Sequence, residues 1–474
     1  MNADGGAMRG GPDLIVVGAG SAGFSAAITA AERGARVLMI GHGTIGGTCV
    51  NVGCVPSKAL IRATETLHQA RTASRFTGIR ATAEVTDWRA LVAQKDDLVA
   101  GLRQAKYIDL LPAYDGIAYR EGKARLIAGG VSIEGETIAC DRVVIATGSS
   151  PAVPPIAGMA DIPYLTSTTA LELERLPRSL IVVGGGYIGC ELAQVFARAG
   201  VAVTIVCRRR LLPEGEPEIS AALTGYFRDE GITVRDGIAY RSVARTDKGV
   251  ALAISDAYDG DETLNAEALL LATGRRPNTA GLGLDAAGIE TDPGGGIRVD
   301  AHMRTTRPGA FAAGDVTGRD MFVYMAAYGA RIATENALGQ GDARYDDGAM
   351  PAVTFSDPQA ASVGLTEATA RSRGIAVESR VLTLDNVPRA LAARDTRGLI
   401  KLVAEQGSGR LLGAHVLAPE GADSIQTAVM AIKAGMTVAE LGATIFPYLT
   451  TVEGLKLAAQ TFAKDVAMLS CCAG

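Results

Sequence analysis

Two stretches of the chain share one pattern of apolar and small residues. In the first stretch, the apolar run Leu14–Val17 is followed by Gly18, Gly20 and Gly23, an alanine-rich segment and a second apolar run, Val37–Ile40. Continuous apolar runs of this length favour buried strands, and the glycines favour a tight turn into a helix. The pattern therefore predicts a strand, a helix and a second strand, with the helix N-terminus at the glycine turn.

The same pattern recurs in the middle of the chain. The second copy predicts a strand over Leu180–Val183, a turn with Gly184, Gly186 and Gly189, a helix over Cys190–Ala199 and a strand over Val201–Val206. A glycine turn at a helix N-terminus presents backbone N–H groups to a pyrophosphate. Two copies indicate two bound nucleotides, one of which can pass electrons to the other.

The residues after each closing strand bear on the ribose of each nucleotide. An acidic residue that binds a ribose hydroxyl is expected there, but the first copy has Gly41 and His42. The second copy has Arg208, Arg209 and Arg210 close to that position. Arginines suit a ribose phosphate and favour NADPH over NADH. The alternative is a solvated run of charge at the end of a strand.

A pair of cysteines follows the first copy. Cys49 and Cys54 are separated by four residues behind a glycine-rich segment, and the helix predicted there runs on through Ile61. Both sulfurs are expected near the first turn of that helix, where backbone N–H groups and the ammonium of Lys58 favour thiolate. Such a pair can attack a disulfide, be regenerated as a disulfide or bind a soft metal. The alternative is two buried cysteines that lie together by chance.

Three further apolar runs are predicted to be strands that end in tight turns. Ligands bind at the carboxyl ends of such strands in α/β folds. These runs are Ile145–Gly148, Leu271–Asn278 and Ala312–Asp315. With them, the chain closely resembles the pyridine nucleotide-disulfide oxidoreductases from its first glycine turn to its C-terminal segment. The resemblance implies an α/β fold with two Rossmann-like nucleotide-binding domains, for FAD and NADPH, and a C-terminal α+β dimerisation domain.

The boundaries of these domains are predicted coarsely. The FAD-binding domain is assigned to 1–155 and 275–344, the NADPH-binding domain to 156–274, the interface domain to 345–462, and a flexible tail to 463–474. In the interface domain, Val353–Phe355 and Leu399–Val403 are predicted strands and Ser424–Ala434 is a predicted helix.

The resemblance also implies roles for individual residues. Cys49 and Cys54 match the redox-active disulfide, with Cys54 nearer the flavin and Cys49 meeting the substrate. Lys58 matches the lysine near flavin N5, Glu191 matches its ion-pair partner, and Tyr187 matches the residue that lies over the flavin and moves when nicotinamide enters. Gly18, Gly20 and Gly23 match the FAD pyrophosphate turn and Asp315 the flavin ribityl contact, and the remaining cofactor-binding residues are Ser21, Ala22, Gly47, Thr48, Lys58, Thr147, Gly148, Gly184, Gly186, Gly189, Arg208, Arg209, Arg210 and Gly274.

The C-terminal segment separates the members of this family by substrate. Disulfide reductases of the family carry a His followed five residues later by Glu, and here Tyr448 replaces that His whereas Glu453 is kept. The histidines of the chain stand elsewhere, at His42, His68, His302 and His415. A tyrosine with a pKa of about 10 is a poor proton shuttle at neutral pH. Ordinary disulfide reduction is therefore disfavoured.

A vicinal pair, Cys471 and Cys472, lies near the C-terminus among small residues. Together with Tyr448, this pair is similar to the branch of the family that reduces mercuric ion, and the match extends over Thr44–Lys58 and Tyr448–Lys456. Hg(II) is a soft cation that prefers thiolates, and adjacent reduced thiols offer two soft ligands. The alternative is a tail with incidental cysteines.

The resemblance implies a sequence of events for mercury. Hg(II), held as a thiol complex, reaches Cys49 and Cys54 through Cys471 of the partner subunit and Cys472 of the partner subunit, so that these four cysteines bind the metal. NADPH, acting through FAD, then reduces it to elemental mercury. Because Tyr448, Glu453 and the tail come from the neighbouring chain, an obligate homodimer is predicted.

Two other functions are also compatible with the sequence. The first is an NADPH-dependent disulfide reductase or oxidase of the same fold, whose turnover does not depend on Cys471 and Cys472. The second belongs to another class, a thiol protein that sequesters metal and consumes no NADPH. The complete double nucleotide pattern, with Lys58 and Glu191, counts against the second.

Length and composition bear on the number of domains, the partners and the cellular location of the protein. The 474 residues suggest about three domains, and a net charge of −5 with no basic cluster beyond the three arginines disfavours a nucleic-acid partner. Seven cysteines without framework spacing disfavour a secreted disulfide scaffold. No run reaches bilayer length, and Met1–Pro12 has neither a signal pattern nor paired cysteines. A cytoplasmic protein is expected, in the core form that lacks the extra N-terminal metal-binding domain of many relatives.

Overall fold

The computed structural model describes residues 11–256, 260–339 and 341–469. Within these residues the chain forms two compact units, each assembled from separate stretches of sequence. Of the described residues, the first unit comprises those within 11–57, 92–152 and 274–346, and the second comprises those within 58–91, 153–273 and 347–469.

The first unit is built on a parallel sheet. Its strands, in spatial order, are Ala310–Ala312, Val143–Ile145, Leu14–Val17, Val37–Gly41 and Ile117–Glu121. All four residues of the strand Leu14–Val17 are buried, as expected for a parallel strand that is covered on both faces. The helices Ser21–Ala31 and Val323–Ala337 contribute Phe24 and Ala330 to the core on one face of this sheet.

Smaller elements complete the first unit. An antiparallel sheet is formed by Ala124–Ile127, Gly130–Ile133 and Glu136–Ala139, and a two-stranded ladder by Ser149–Pro151 and Arg275–Pro277. Its other helical segments include Gly47–Val52, most of Trp88–Arg103, the π-helical turn Gln104–Ile108 and the 3-10 turn Leu111–Ala113.

The second unit contains another parallel sheet and two antiparallel ones. The parallel strands, in spatial order, are Thr233–Arg235, Ala202–Val206, Ser179–Val183, Ala268–Leu271 and Leu165–Thr166. An antiparallel meander of Ala239–Thr246, Gly249–Asp256 and Gly260–Ala266 shares a hydrophobic core with the parallel strands. The second antiparallel sheet consists of Pro351–Thr354, Gln359–Gly364, Leu411–Ala418, Leu399–Glu405 and Val377–Thr383.

Helices flank the sheets of the second unit. They are most of Cys54–Arg71, together with Ser167–Ala170, Tyr187–Arg198, Pro217–Asp229, Glu367–Ser372, Pro388–Ala393, Gly421–Lys433, Val438–Ala443 and Glu453–Gln460. Val466 and Leu469 pack against the same core as the C-terminal antiparallel sheet. None of the helices in the described part of the chain is long and apolar enough to cross a membrane.

The predicted fold class is confirmed. Parallel sheets with a helix after each glycine turn are present in both units, and the C-terminal sheet is antiparallel and packs with helices. The predicted strands near Val353 and Leu399 and the predicted helix near Ser424 are all formed. The helix of the second copy begins at Tyr187, directly after Gly186, rather than at Cys190.

Candidate active site

The first glycine turn is shaped by close backbone contacts. Gly18 has a φ of 125°, and a Cβ at this position would lie 2.1 Å from the carbonyl oxygen of Ala146. A Cβ at Gly23 would lie 1.9 Å from the carbonyl oxygen of Gly18. The helix Ser21–Ala31 begins after Gly20, which supplies no side-chain cap. Its first N–H groups are therefore available to an anion, so the turn fits the pyrophosphate of FAD.

The second glycine turn repeats this construction. A Cβ at Gly184 would lie 2.3 Å from the carbonyl oxygen of Ala272, and one at Gly189 would lie 2.1 Å from the carbonyl oxygen of Gly184. The helix Tyr187–Arg198 likewise begins after a glycine, Gly186, without a side-chain cap. This turn fits a second pyrophosphate.

The two candidate redox cysteines lie in two helices rather than one. Cys49 belongs to the helix Gly47–Val52, and Cys54 is the first residue of Cys54–Arg71. The prediction of one helix with both sulfurs near its first turn was wrong in this respect. Gly53 separates the helices, with φ −130° and ψ −108°, and a Cβ there would meet the carbonyl oxygen of Thr48 at 2.9 Å. Both cysteines are partly buried.

The cysteine segment is fastened to the first glycine turn. The N–H of Gly46 donates to the carbonyl oxygen of Ala19 at 2.8 Å, and Gly20 forms a parallel bridge with Gly46. A Cβ at Gly47 would lie 2.6 Å from the Cα of Gly20, so the two backbones approach each other as closely as glycine allows. The thiol pair is thereby held beside the pyrophosphate turn.

Tyr107 lies near the thiol pair and was not singled out from the sequence. Its side chain comes from the π-helical turn Gln104–Ile108, and its hydroxyl lies 3.4 Å from the Oγ of Ser21. Burial raises the pKa of Tyr107, the hydrogen bond with Ser21 lowers it, and negative charge at Cys49 and Cys54 raises it further. No motif marks this residue, since only the fold brings it to the turn.

Lys58 forms an ion pair with Glu191 in the second unit. The ammonium donates to both carboxylate oxygens, at 3.0 and 2.8 Å. Glu191 is 5% exposed and also accepts the backbone N–H of Phe355 at 2.9 Å, while the ammonium lies 4.6 Å from the ring centroid of Phe355. These contacts fix the lysine, which follows Cys54 by one turn of the same helix.

Asp315 is held by two side chains of the first unit. The Oγ of Ser149 donates to its Oδ2 at 2.5 Å, and the Nε of Arg275 donates to that same Oγ at 2.7 Å and lies 3.7 Å from the carboxylate. Burial lowers the pKa of Arg275, while Asp315 and a thiolate at Cys54 act in the opposite direction. The carboxylate is therefore fixed at the edge of the parallel sheet, as a ribityl contact requires.

The turn Thr147–Gly148 is fastened by Asn278. The Oγ1 of Thr147 donates to the carbonyl oxygen of Asn278 at 2.8 Å, and the Nδ2 of Asn278 donates back to the carbonyl oxygen of Thr147 at 2.9 Å. The backbone N–H of Asn278 also donates to the carbonyl oxygen of Gly148 at 2.9 Å. Asn278 stands in the run Leu271–Asn278, which the sequence marked as a ligand-binding turn, yet its own role was not predicted.

Comparison with known proteins decides the family. Residues 12–331 match the family described as "Pyridine nucleotide-disulphide oxidoreductase", and residues 350–459 match its dimerisation domain. The chain belongs to this family. As a pyridine nucleotide-disulphide oxidoreductase it is a flavin-dependent enzyme with FAD and NADPH as cofactors, which confirms both predictions. The dimerisation domain supports the predicted homodimer.

Individual proteins match the chain over nearly its whole length. The chain is 50% identical to a mercuric reductase of Streptomyces lividans, over 98% of this chain and 99% of that protein. It is also 50% identical to a mercuric reductase of Shigella flexneri, over 97% of this chain and 82% of that protein. Among solved structures, the HOCl-induced flavoprotein disulfide reductase RclA from Escherichia coli has a TM-score of 0.84 and 31% identity, covering 95% of this chain and all of that one (100%).

The three arginines of this oxidoreductase differ in their contacts. Arg209 pairs with Glu214, and the Nη2 of Arg210 donates to the carbonyl oxygen of Gly215 at 2.7 Å. Arg208 is exposed, and within the described residues it makes no hydrogen bond or ion pair. Its guanidinium is therefore the one that is available to a ribose phosphate.

The two tyrosines that were predicted to lie in the active site, Tyr187 and Tyr448, are both exposed to solvent in the single chain. Tyr187 is 42% exposed and Tyr448 is 56% exposed. Glu453 is 4% exposed and accepts the N–H of Leu449 at 3.2 Å, so that it holds the backbone directly after Tyr448. Cys471 and Cys472 lie outside the described residues.

Proposed function

We propose that this oxidoreductase reduces Hg(II) to elemental mercury with NADPH as the reductant. The observation that carries the proposal is the 50% identity with a mercuric reductase over nearly the whole length of both proteins. The overall reaction balances as NADPH and Hg(II) giving NADP⁺, a proton and Hg(0). One hydride therefore supplies the electron pair for one metal ion.

The residues of the first unit fit FAD. The uncapped N-terminus of Ser21–Ala31 would hold the pyrophosphate, and Asp315, fixed by Ser149 and Arg275, would hold the ribityl chain. FAD supplies two-electron chemistry, since it accepts a hydride and can return the electron pair to a disulfide or a metal ion.

Cys49 and Cys54 would bind the metal as thiolates. Cys54 lies at the N-terminus of an 18-residue helix, and thiolates are favoured there by the backbone N–H groups. Lys58, held by Glu191, would add positive charge one turn further along the helix. Soft Hg(II) prefers two such sulfurs, whereas the neutral atom formed by reduction binds thiolate weakly and leaves.

Delivery of the metal is assigned to the neighbouring chain of a homodimer. Cys471 of the partner subunit and Cys472 of the partner subunit would collect Hg(II) from solvent thiols and pass it to Cys49 and Cys54. Each transfer replaces one mercury–sulfur bond by another, so exchange can be fast although affinity is high. The exposed ring of Tyr448 would line this path.

The proposed function is tested by NADPH oxidation with Hg(II) in an excess of a small thiol. We expect mercury-dependent turnover by the native enzyme, and about tenfold or more lower turnover by the double variant Cys471→Ala/Cys472→Ala, because the variant lacks the thiols that would collect the metal. A disulfide substrate is assayed alongside. Turnover with the disulfide alone, equal in native and variant enzymes, would instead place the chain among the disulfide reductases.

A second prediction concerns the choice of nucleotide. Arg208→Ala should raise the KM for NADPH about tenfold or more and leave the KM for NADH unchanged, because a charge-assisted contact to the 2′-phosphate is worth about 1.5–3 kcal/mol. Arg209→Ala is the matched control, since Arg209 already pairs with Glu214. Equal effects of both substitutions on NADPH would show that the arginines act only as a general positive charge.

A further inference from the structure

The first nucleotide-binding unit lacks the usual ribose contact. An acidic residue ordinarily ends the second strand of such a unit and accepts a hydrogen bond from the adenosine ribose. Here the strand Val37–Gly41 ends in glycine, and the next residue is His42, an exposed histidine. The pyrophosphate turn is complete, but no carboxylate stands at the end of this strand.

The space in front of Gly41 is already filled. A Cβ on Gly41 would lie 2.6 Å from the hydroxyl oxygen of Tyr119, and 2.8 Å from both a ring carbon of that tyrosine and the Cβ of Ala19. Real Cβ atoms do not approach other atoms so closely, so an acidic residue would not fit here. The hydroxyl of Tyr119 occupies the place where the side chain of the usual acid begins, beside the glycine turn that contains Ala19.

Strand pairing explains how Tyr119 reaches this place. The strand Ile117–Glu121 runs parallel to Val37–Gly41, with Tyr119 opposite Met39 and Glu121 opposite Gly41. Alternate residues of a strand share a face, so these side chains lie on one face of the sheet. Because the strands are parallel, their carboxyl ends meet at one edge, which is where nucleotides bind in such sheets.

The hydroxyl of Tyr119 is available to a ligand. Within the part of the chain that the structure describes, no hydrogen-bond partner is found for it, although the side chain is half-buried. Burial raises the pKa of Tyr119, and the carboxylate of Glu121 raises it further. The phenol is therefore protonated at neutral pH and can both donate and accept a hydrogen bond.

We propose that Tyr119 binds a hydroxyl of the adenosine ribose of FAD, in place of the acid that would end the strand Val37–Gly41. The geometry carries this inference, because the phenol oxygen lies at the sheet edge, beside the pyrophosphate turn, at the position that the acid would otherwise occupy. It concerns the resident flavin and is independent of the metal that the enzyme reduces.

The test is flavin exchange from the holoenzyme. The enzyme is equilibrated with FAD and an excess of its 2′-deoxyadenosine or 3′-deoxyadenosine analogue, and the bound flavins are then quantified. Native enzyme should prefer FAD over one of these analogues by about three- to tenfold, the effect of one neutral hydrogen bond. Tyr119→Phe should lose this preference, whereas His42→Gln and Glu121→Gln should keep it.

This readout separates recognition from a loosened fold. The preference is a ratio within one variant, so a general loss of flavin affinity leaves it unchanged. Native-like preference in Tyr119→Phe would overturn the proposal, as would its loss in Glu121→Gln alone.

Discussion

Cys54→Ala is expected to lower mercury-dependent NADPH oxidation by about a thousandfold or more, the scale of losing a group that acts directly in catalysis. Cys49→Ala should have an effect of similar size. A single remaining thiolate cannot form the disulfide and offers Hg(II) only one of two sulfurs. The measurement is the steady-state rate of purified variants with their flavin content matched to that of the native enzyme.

Cys140→Ala is the matched control for these variants. Cys140 is also partly buried, but its Sγ lies 3.2 Å from the carbonyl oxygen of Arg142, and burial raises the pKa of its thiol. It is therefore a poor nucleophile at neutral pH, and its loss should leave the rate within about twofold of native. Full activity in Cys54→Ala, or a loss in Cys140→Ala as large as in Cys54→Ala, would contradict the assignment.

Glu191→Ala should cost about 3 kcal/mol of unfolding free energy, because it leaves the ammonium of Lys58 partly buried without its partner. The change also removes the acceptor for the N–H of Phe355. Activity should fall as well, since nothing else in the described part of the chain fixes Lys58 so closely. Stability is measured by urea unfolding of the holoenzyme, and activity by the rate of NADPH oxidation.

Glu65→Ala provides the matched control, since Glu65 forms an ion pair on the helix that carries Lys58. Its ion pair with Arg62 has an Nη1–Oε2 distance of 2.7 Å, and the arginine is 65% exposed, so the pair is screened by solvent. Loss of such a pair costs about 0–1 kcal/mol. If Glu65→Ala and Glu191→Ala were equally destabilised, the buried pair would have no special role in holding Lys58.

Much of the fold follows from local sequence patterns. The glycines at Gly18 and Gly184, each after an apolar run, predict both nucleotide units, because close backbone contact at these positions tolerates no side chain. Apolar runs also predict strands near Val353 and Leu399 and a helix near Ser424. These patterns are informative because each one depends on a few consecutive residues.

The parts that could not be predicted depend on contacts between distant residues. The N–H of Phe355 reaches Glu191 across 164 positions, and Asn278 closes the turn at Thr147 across 131. The helix break at Gly53 arises from the close carbonyl oxygen of Thr48, which helix propensity does not reveal. Likewise, the sequence shows only that Gly41 stands where an acidic residue is expected. The structure adds that the hydroxyl of Tyr119, from the neighbouring strand, fills the space in front of Gly41.

The most direct test of the central claim is the stoichiometry of elemental mercury. Purified enzyme is supplied with limiting NADPH and thiol-bound Hg(II) without oxygen, and the mercury vapour released is quantified against the NADPH consumed. Reduction at Cys49 and Cys54 predicts one Hg(0) for each NADPH, with no vapour from Cys54→Ala. NADPH consumption without vapour, or mercury binding without NADPH consumption, would contradict the account.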